Sequence, residues 1–455
     1  MDFILLMKLI KRAPIFIGVL LIIIITEPLT AAVAPLQGDG IRLDARWPVR
    51  TYTRIRVKIF PHTRAYPPHG SDKVRDRITL VSDKNCRMFA GLKNKTGRRS
   101  RLLKKGKRFK LNAASLSQPV WIKCGAPVTL IRPGAKDSWR YAGEFYVRRQ
   151  GSGLEVVNVV GIETYLRGVV PAEVYADWPE ETLKTQAVAA RTYSVYHLSS
   201  SRQRGKRYWD VDDTVQFQAY TGLSFANPRT DKAIRATRGE ILTWGSRVIQ
   251  AYYHADSGGR TEYADKVWSF EVPWCQSRKE VYADSAVRSD WKVAIKMIDF
   301  ARWLRRNGHV PRGRLVQDVV VPATGRTTSG RVRFISIRLD DGTYRNLSLR
   351  RFRRFFAVNV LPSSLFAFER KDKRTLILRG RGSGHGVGMN QRGSRALAKE
   401  KGWDYSKILD FYYSGTSICS LARKNSSKRP CYPAAGRADK DSSIAENDRF
   451  STRGG

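Results

Sequence analysis

Residues Val159 to Tyr193 read VVGIETYLRGVVPAEVYADWPEETLKTQAVAARTY, and the order of elements in this stretch decides the fold. A short apolar strand, Val156 to Val160, runs into an amphipathic segment from Ile162 to Val170. A single carboxylate, Glu173, follows in what reads as a loop, and a strongly signalled helix comes next. Asp177 and Glu180 stand like a capping pair, with Pro179 where a first helical turn tolerates a missing N–H. Leu183, Ala187, Ala190 and Ser194 share one face of that helix, and the small residues among them permit close approach of a neighbour. An acid held between two packed elements loses hydration, which raises its pKa toward the range a general acid needs. The plain alternative for Glu173 is a solvated loop acid.

Two further stretches lie downstream. One is Tyr252-Tyr253-His254-Ala255-Asp256-Ser257-Gly258-Gly259-Arg260-Thr261-Glu262. The other is Gly384-His385-Gly386-Val387-Gly388-Met389-Asn390-Gln391 to Gly393, with Ile408-Leu409 and Tyr412-Tyr413-Ser414-Gly415-Thr416 behind it. Together with Tyr165 to Glu173 and Glu181 to Tyr193, they resemble in order the signature of the stage II sporulation protein D family. That signature runs YLxGVVxxE, EALKAQAVAARTY, S-G-G-x-T-E, then GHGVGMSQxGA…IL…YYPGT. On these ordered matches the chain is identified as a member.

A chain of 455 residues can bury a sizeable core and carry more than one domain, or one large decorated domain. With 42% hydrophobic and 11% aromatic residues it is not generally disordered. The formal net charge of +43 favours polyanionic surroundings: nucleic acid, anionic lipid or acidic wall polymers. The N-terminus chooses among them. Lys8, Lys11 and Arg12 precede an apolar run from Ala13 to Ile25, and Ala32-Val33-Ala34 is a small-x-small triplet. This is a signal-peptide layout with an apolar run short for a spanning helix. Pro35 after the triplet disfavours cleavage there, so residues 1–34 read as a signal peptide or an N-terminal anchor. An exported chain is expected in the periplasm or cell envelope, with anionic envelope polymers or the membrane surface as partners and no nucleic acid. The plain alternative is a solvated basic surface.

Cys86, Cys124, Cys275, Cys419 and Cys431 in an exported chain suggest disulfides. Cys86 with Cys124 and Cys419 with Cys431 need least chain to cross, leaving Cys275 buried or free. Some sporulation members of the family carry Cys and His zinc ligands just after the motif helix. The comparable stretch here, Asp210 to Tyr220, has neither, so no metal and no cofactor is expected.

The fold class expected is α+β: β-rich mixed sheets with a few packed helices. Residues 35–118 alternate short apolar runs with basic, Gly-containing turns and read as an accessory β-rich region. Residues 119–421 read as the family domain. Within it, about 290–370 reads as an inserted α+β subdomain, with a helix from Ile298 to Arg306 and strands at Leu315 to Val321, Val332 to Leu339 and Tyr344 to Leu349. The tail from Ala422 to Gly455 is rich in Lys, Arg, Ser and Gly and reads as disordered.

The resemblance implies a lytic transglycosylase. It would act on peptidoglycan glycan strands, cutting between N-acetylmuramic acid and N-acetylglucosamine to leave a 1,6-anhydro ring. Ordinary glycoside hydrolysis uses two carboxylates. Here the sugar's own C6 hydroxyl attacks, so one Glu can serve as acid and then base, and Glu173 matches the family's catalytic glutamate. The family often follows it with Met-Pro, where this chain has Val174-Tyr175. Glu163 and Glu181 are nearby acids read as structural, and Arg191 reads as an anchor for the helix. Tyr252 is a candidate sugar contact, and so is the turn Ser257, Gly258 and Gly259, which is otherwise a plain strand end. His385 and Gly386 are candidates to touch glycan or orient the acid; Tyr412 and Tyr413 read as a stacking face or as core. The reading from a different class is a non-catalytic wall-binding protein that stimulates a cell-wall amidase.

Overall fold

The computed structural model describes residues 40–43, 53–59, 76–91, 100–131, 138–205, 208–214, 217–268, 270–280, 289–356, 360–370, 372, 374–421 and 429–431. Residues 1–34, read above as a signal peptide or anchor, and all but 429–431 of the tail lie outside the described residues. The class is α+β, as the sequence pattern implies. Six helices of eight residues or more occur among the described residues: α1 (Ile162–Glu173), α2 (Glu180–Gln203), α3 (Pro228–Ala236), α4 (Met297–Arg306), α5 (Gln391–Lys401) and α6 (Tyr405–Tyr412). None of the described helices is long and apolar enough to cross a membrane.

Strand Gly153–Gly161 organises the first half. Its apolar run is continuous because both faces are covered: Val156 and Val160 join the main core, while Val157 and Val159 pack on the other side with Tyr146, Trp121 and Trp209. It lies inside a seven-stranded sheet between Arg54–Ile59 and Glu144–Gln150, with Val120–Cys124, Cys86–Ala90 and Ser100–Leu103 continuing outward. In Arg54–Ile59 the alternation works as a strand requires, with Ile55, Val57 and Ile59 turned inward. A four-stranded sheet (Phe109–Asn112, Arg77–Ser82, Val128–Ile131, Ser138–Tyr141) shares the same core.

Strands on either side of the expected boundary near residue 118 pair with one another. Arg54–Ile59 pairs with Gly153–Gly161, and Cys86–Ala90 pairs with Val120–Cys124, where a disulfide joins Cys86 to Cys124. A separate accessory unit would leave these ladder groups as open edges. The second expected disulfide, Cys419–Cys431, is also formed, and Cys275 is free and buried.

Helix α2 is covered on nearly every side and packs against α1, α3, α5, α6 and the strand Glu240–Trp244. Its small residues permit this, as at Ala187, Ala189, Ala190 and Ser194, all fully buried. Arg191 is fully buried too. Its guanidinium grips the Glu163 carboxylate at 2.9 and 3.0 Å and donates to the carbonyls of Ile234 and Glu240. Two helix readings change. Pro179, not Asp177, holds the N-cap position of α2, and no side chain caps it; Glu180 and Glu181 supply first-turn charge instead. And Glu173 is no loop residue: α1 runs through Pro171 to end on it, with Val174 N–H closing on Val170 O at 3.0 Å.

The inserted subdomain builds its own core from Ile295, Phe300, Leu304, Ile335, Ile337, Phe352 and Leu378. It reaches Arg381 rather than 370, because Thr375–Arg381 is the central strand of the sheet, between Asp290–Lys296 and Phe366–Arg370. Glu262 ties it to the rest by accepting from Thr327 at 2.5 Å and Ser329 at 2.6 Å.

Candidate active site

Glu173 is brought to its neighbours by a close helix–loop contact. Gly168 sits earlier on α1, and a Cβ there would meet the Gly222 carbonyl oxygen at 2.0 Å. Only glycine admits that approach. Thr221 then docks on Gly168 O through its N–H at 3.2 Å and its hydroxyl at 3.0 Å. Tyr220 packs at a tilt against Tyr165 with centroids 4.7 Å apart, and its hydroxyl donates to Asn158 Oδ1 at 2.8 Å. The loop is fixed so that Ala219 N–H donates to Glu173 Oε1 at 2.9 Å.

The second oxygen is served from far along the chain. Strand Tyr253–His254 runs parallel to Met389–Asn390, and Gln391 begins α5 directly after it. Gln391 Nε2 donates to Glu173 Oε2 and to Gln186 Oε1 of α2, both at 3.4 Å. Tyr253 also faces the carboxyl, and its hydroxyl donates to Gln218 Oε1 at 2.9 Å, whose amide donates to Ser194 at 3.0 Å.

Burial pushes the Glu173 carboxyl from its ordinary 4.5 to about 7, against the opposing pull of the Ala219 N–H and Gln391 amide donors. The residue as a whole is only half-buried, so a path to solvent remains while its acidic end is crowded. No other carboxylate figures among the causes of the shift. Desolvation raises the acid toward neutrality with no like charge contributing.

The other sequence candidates fall elsewhere. Ser257 is fully buried, with its hydroxyl on Glu280 and accepting from Asn390 Nδ2 at 3.1 Å and Gly259 N–H at 3.0 Å. Gly258 N–H is taken by Asp256 at 2.9 Å, and a Cβ there would strike Leu365 at 2.8 Å. The Ser257 hydroxyl is therefore spent on Glu280, and the Gly258 and Gly259 N–H groups on Asp256 and Ser257. Tyr412 and Tyr413 are both core: their hydroxyls reach Glu280 at 2.5 Å and Tyr252 O at 2.7 Å. Tyr252, just before the strand, packs on Trp268 at 4.5 Å, and Tyr253, in the strand Tyr253–His254, takes the place at the carboxyl.

His385 packs against Trp268 at 5.0 Å and His254 at 5.5 Å and accepts from Val387 N–H at 3.0 Å. Burial and nearby Arg331 hold it down at about 3, so it stays neutral. Gly386 carries φ +84°, and a Cβ would hit the Arg331 guanidinium at 2.4 Å. These two shape the loop that delivers Asn390 and Gln391. Glu163 is occupied by Arg191, and Glu181 by Lys184 at 2.7 Å and Tyr405 N–H at 2.9 Å. Among the described residues, no group of three or more His, Cys, Asp or Glu is placed to hold a metal.

Sequence reasoning missed Tyr253, Gln391, Gln186 and the Ala219 N–H. Tyr253 and Gln391 lie inside quoted motifs, and their polar side chains amid apolar and glycine residues were the available signal; a backbone donor leaves none.

Residues 150–244 match the family described as Stage II sporulation protein, and residues 278–388 match a Domain of unknown function (DUF8618). The chain is 34% identical over 276 residues to an uncharacterized protein of Brachyspira hyodysenteriae, covering 60% of this chain and 71% of that protein. It is 31% identical over 297 residues to the amidase enhancer of Bacillus subtilis, covering 56% of this chain and 40% of that protein. The stage II sporulation protein D of Bacillus subtilis is 31% identical over 285 residues, 58% of this chain and 75% of that protein. By this extent of shared sequence, over a fold that brings the separated signature segments together, the chain belongs to the stage II sporulation protein D family.

Proposed function

We propose that this protein is an exported peptidoglycan lytic transglycosylase with Glu173 as its acid and base. The observation that carries this is a single carboxyl, raised to about 7 by burial, with no second carboxylate contributing to the shift. Protonated Glu173 gives its proton to the glycosidic oxygen as the C1–O bond of N-acetylmuramic acid breaks. The C6 hydroxyl of the same sugar attacks C1, and the carboxylate takes that hydroxyl's proton. The proton given returns, no water is consumed, and the product carries a 1,6-anhydro ring. The intramolecular nucleophile supplies a high effective concentration. A place outside the cytoplasmic membrane rests on the order of Lys8, Lys11 and Arg12, the apolar run and Ala32-Val33-Ala34.

Mass spectrometry of products released from purified wall tests this. Wild type should yield anhydro-muropeptides, and Glu173→Gln should lower their yield at least about 10²-fold while remaining folded. Hydrolysed reducing ends in place of anhydro ends would defeat the lytic reading. The likeness to the amidase enhancer favours a second reading, a wall-bound stimulator of an amidase. It would stand if wild type released no anhydro product yet raised the rate of an added amidase.

A further inference from the structure

The inserted subdomain opens a cavity of about 780 Å³ that shares no lining residue with the cluster around Glu173. Its rim carries four cations, Lys292, Arg326, Arg379 and Arg381, against one lining carboxylate, Asp290. The strand register makes this costly. Lys292 stands directly opposite Arg379, and both are exposed. Like charges so placed destabilise a sheet. Asp290 lies opposite Arg381, and Glu369 takes Arg379, which leaves an excess of positive charge at the mouth.

The wall has a different character. Trp291 lies flat on Gly380, where a Cβ would meet the indole at 2.2 Å, and its Nε1 is held by Gly382 O at 3.1 Å. The ring is fixed and half-buried, with Phe366 beside it at 6.1 Å. A cationic rim over a rigid aromatic wall suits a ligand with free carboxylates on a partly apolar body. A phosphodiester polymer has the charge without the apolar body. Leu365 and Arg381 also pack on the Gly258 turn, which joins through Ser257 to Asn390 beside Gln391, so the cavity is rigidly linked to the Glu173 site.

We propose that this cavity binds the carboxylate-bearing peptide stems of wall glycan, holding a decorated strand while another region enters the Glu173 cleft. The proposal rests on the wall-glycan reading above. Isothermal titration of the full chain would use three probes: a soluble disaccharide-tetrapeptide, its disaccharide alone and the free tetrapeptide. The two peptide-bearing probes should bind, the disaccharide at least about tenfold more weakly, and Lys292→Glu with Arg381→Glu should weaken peptide binding at least about tenfold. Both positions are exposed, and the Gln pair at the same sites, with circular dichroism, guards against misfolding as the cause. Equal binding by wild type and the charge-reversed pair would overturn the site. So would equal binding of disaccharide and disaccharide-tetrapeptide, which would assign the contact to the sugar's own lactyl carboxylate. Binding of a glycerol-phosphate polymer without binding of the tetrapeptide would overturn it as well. Anhydro release from peptide-free glycan by wild type is measured in parallel. Its absence removes the proposed activity and leaves the binding result intact, whereas lost peptide binding with product still released removes only this site.

Discussion

Glu173→Gln should make the protein more stable at alkaline pH. The folded carboxyl sits at about 7 and its ordinary value is 4.5, so the folded state holds this proton more tightly than the unfolded chain. Stability is therefore fully present below 4.5, is lost as pH rises toward 7, and the loss is complete above that. At 1.36 kcal/mol per pH unit, ionising Glu173 in place costs about 3 kcal/mol. Gln carries no charge and avoids this cost. Its oxygen can still accept from Ala219 N–H, but its amide would face the Gln391 amide donor. Gln391 must then turn over and lose its bond to Gln186, a penalty of about 1 kcal/mol that does not vary with pH. The pH-dependent part isolates the charge. Urea or thermal unfolding of both proteins should show the Gln variant gaining about 3 kcal/mol on wild type between pH 4 and pH 8, a few °C in melting temperature. A difference that stays constant across that range, or moves against the variant, would show that the carboxyl is hydrated. The argument for it as general acid would then fail.

The same titration should appear in the rate: release of anhydro product should decline as pH rises through about 7, because the acid form must donate first. Initial rates between pH 5 and 9 check this, and a flat profile counts against it. Glu163→Gln should cost about 3 kcal/mol by stranding the fully buried Arg191 charge, while Glu181→Gln, with its partly exposed Lys184 partner, should cost about 1 kcal/mol or less. Equal costs in denaturant unfolding would contradict the pairing. Without reductant the native protein should react with no thiol reagent, and denaturation should expose one thiol, Cys275. More than one by mass would refute the disulfides.

The elements around Glu173 were legible because their signals are local: an apolar run for Gly153–Gly161, 3.6-residue periodicity and small residues for α2, glycines at the loop before Asn390. What the sequence hid was mutual placement. Tyr252 and Tyr253 are equal candidates as letters, and only the pairing of Tyr253–His254 with Met389–Asn390 puts Tyr253 at the carboxyl. Ser257 looks like a sugar contact until Glu280, outside the motif, is found bonded to it. The pairing of strands across residue 118 was hidden for a related reason. Strand pairing over long separations, such as Arg54–Ile59 with Gly153–Gly161, has no signature in composition. The extent of α1 was missed because Pro171 reads as a stop, though it removes only one N–H from a helix fixed by the packing of Tyr165, Leu166, Val169 and Val170.

The surroundings of Glu173 pull its proton affinity in opposite directions, and the outcome has a consequence for a one-carboxyl reaction. Burial alone would lock the acid protonated, ready to donate and unable to accept. Donors alone, from the Ala219 N–H and the Gln391 amide, would lock it ionised. In this protein desolvation exceeds the donors by a margin that leaves the group near 7, where both forms are accessible within about a unit of pH. A group that must give a proton and then take one back in the same turnover gains from that balance. Each contributor depends on a different part of the chain: Gly168 admits the loop bearing Ala219, parallel pairing with Met389–Asn390 aims Tyr253 and starts α5 at Gln391, and α2 closes the space behind them. The separated signature segments are needed together because no one of them sets the pKa.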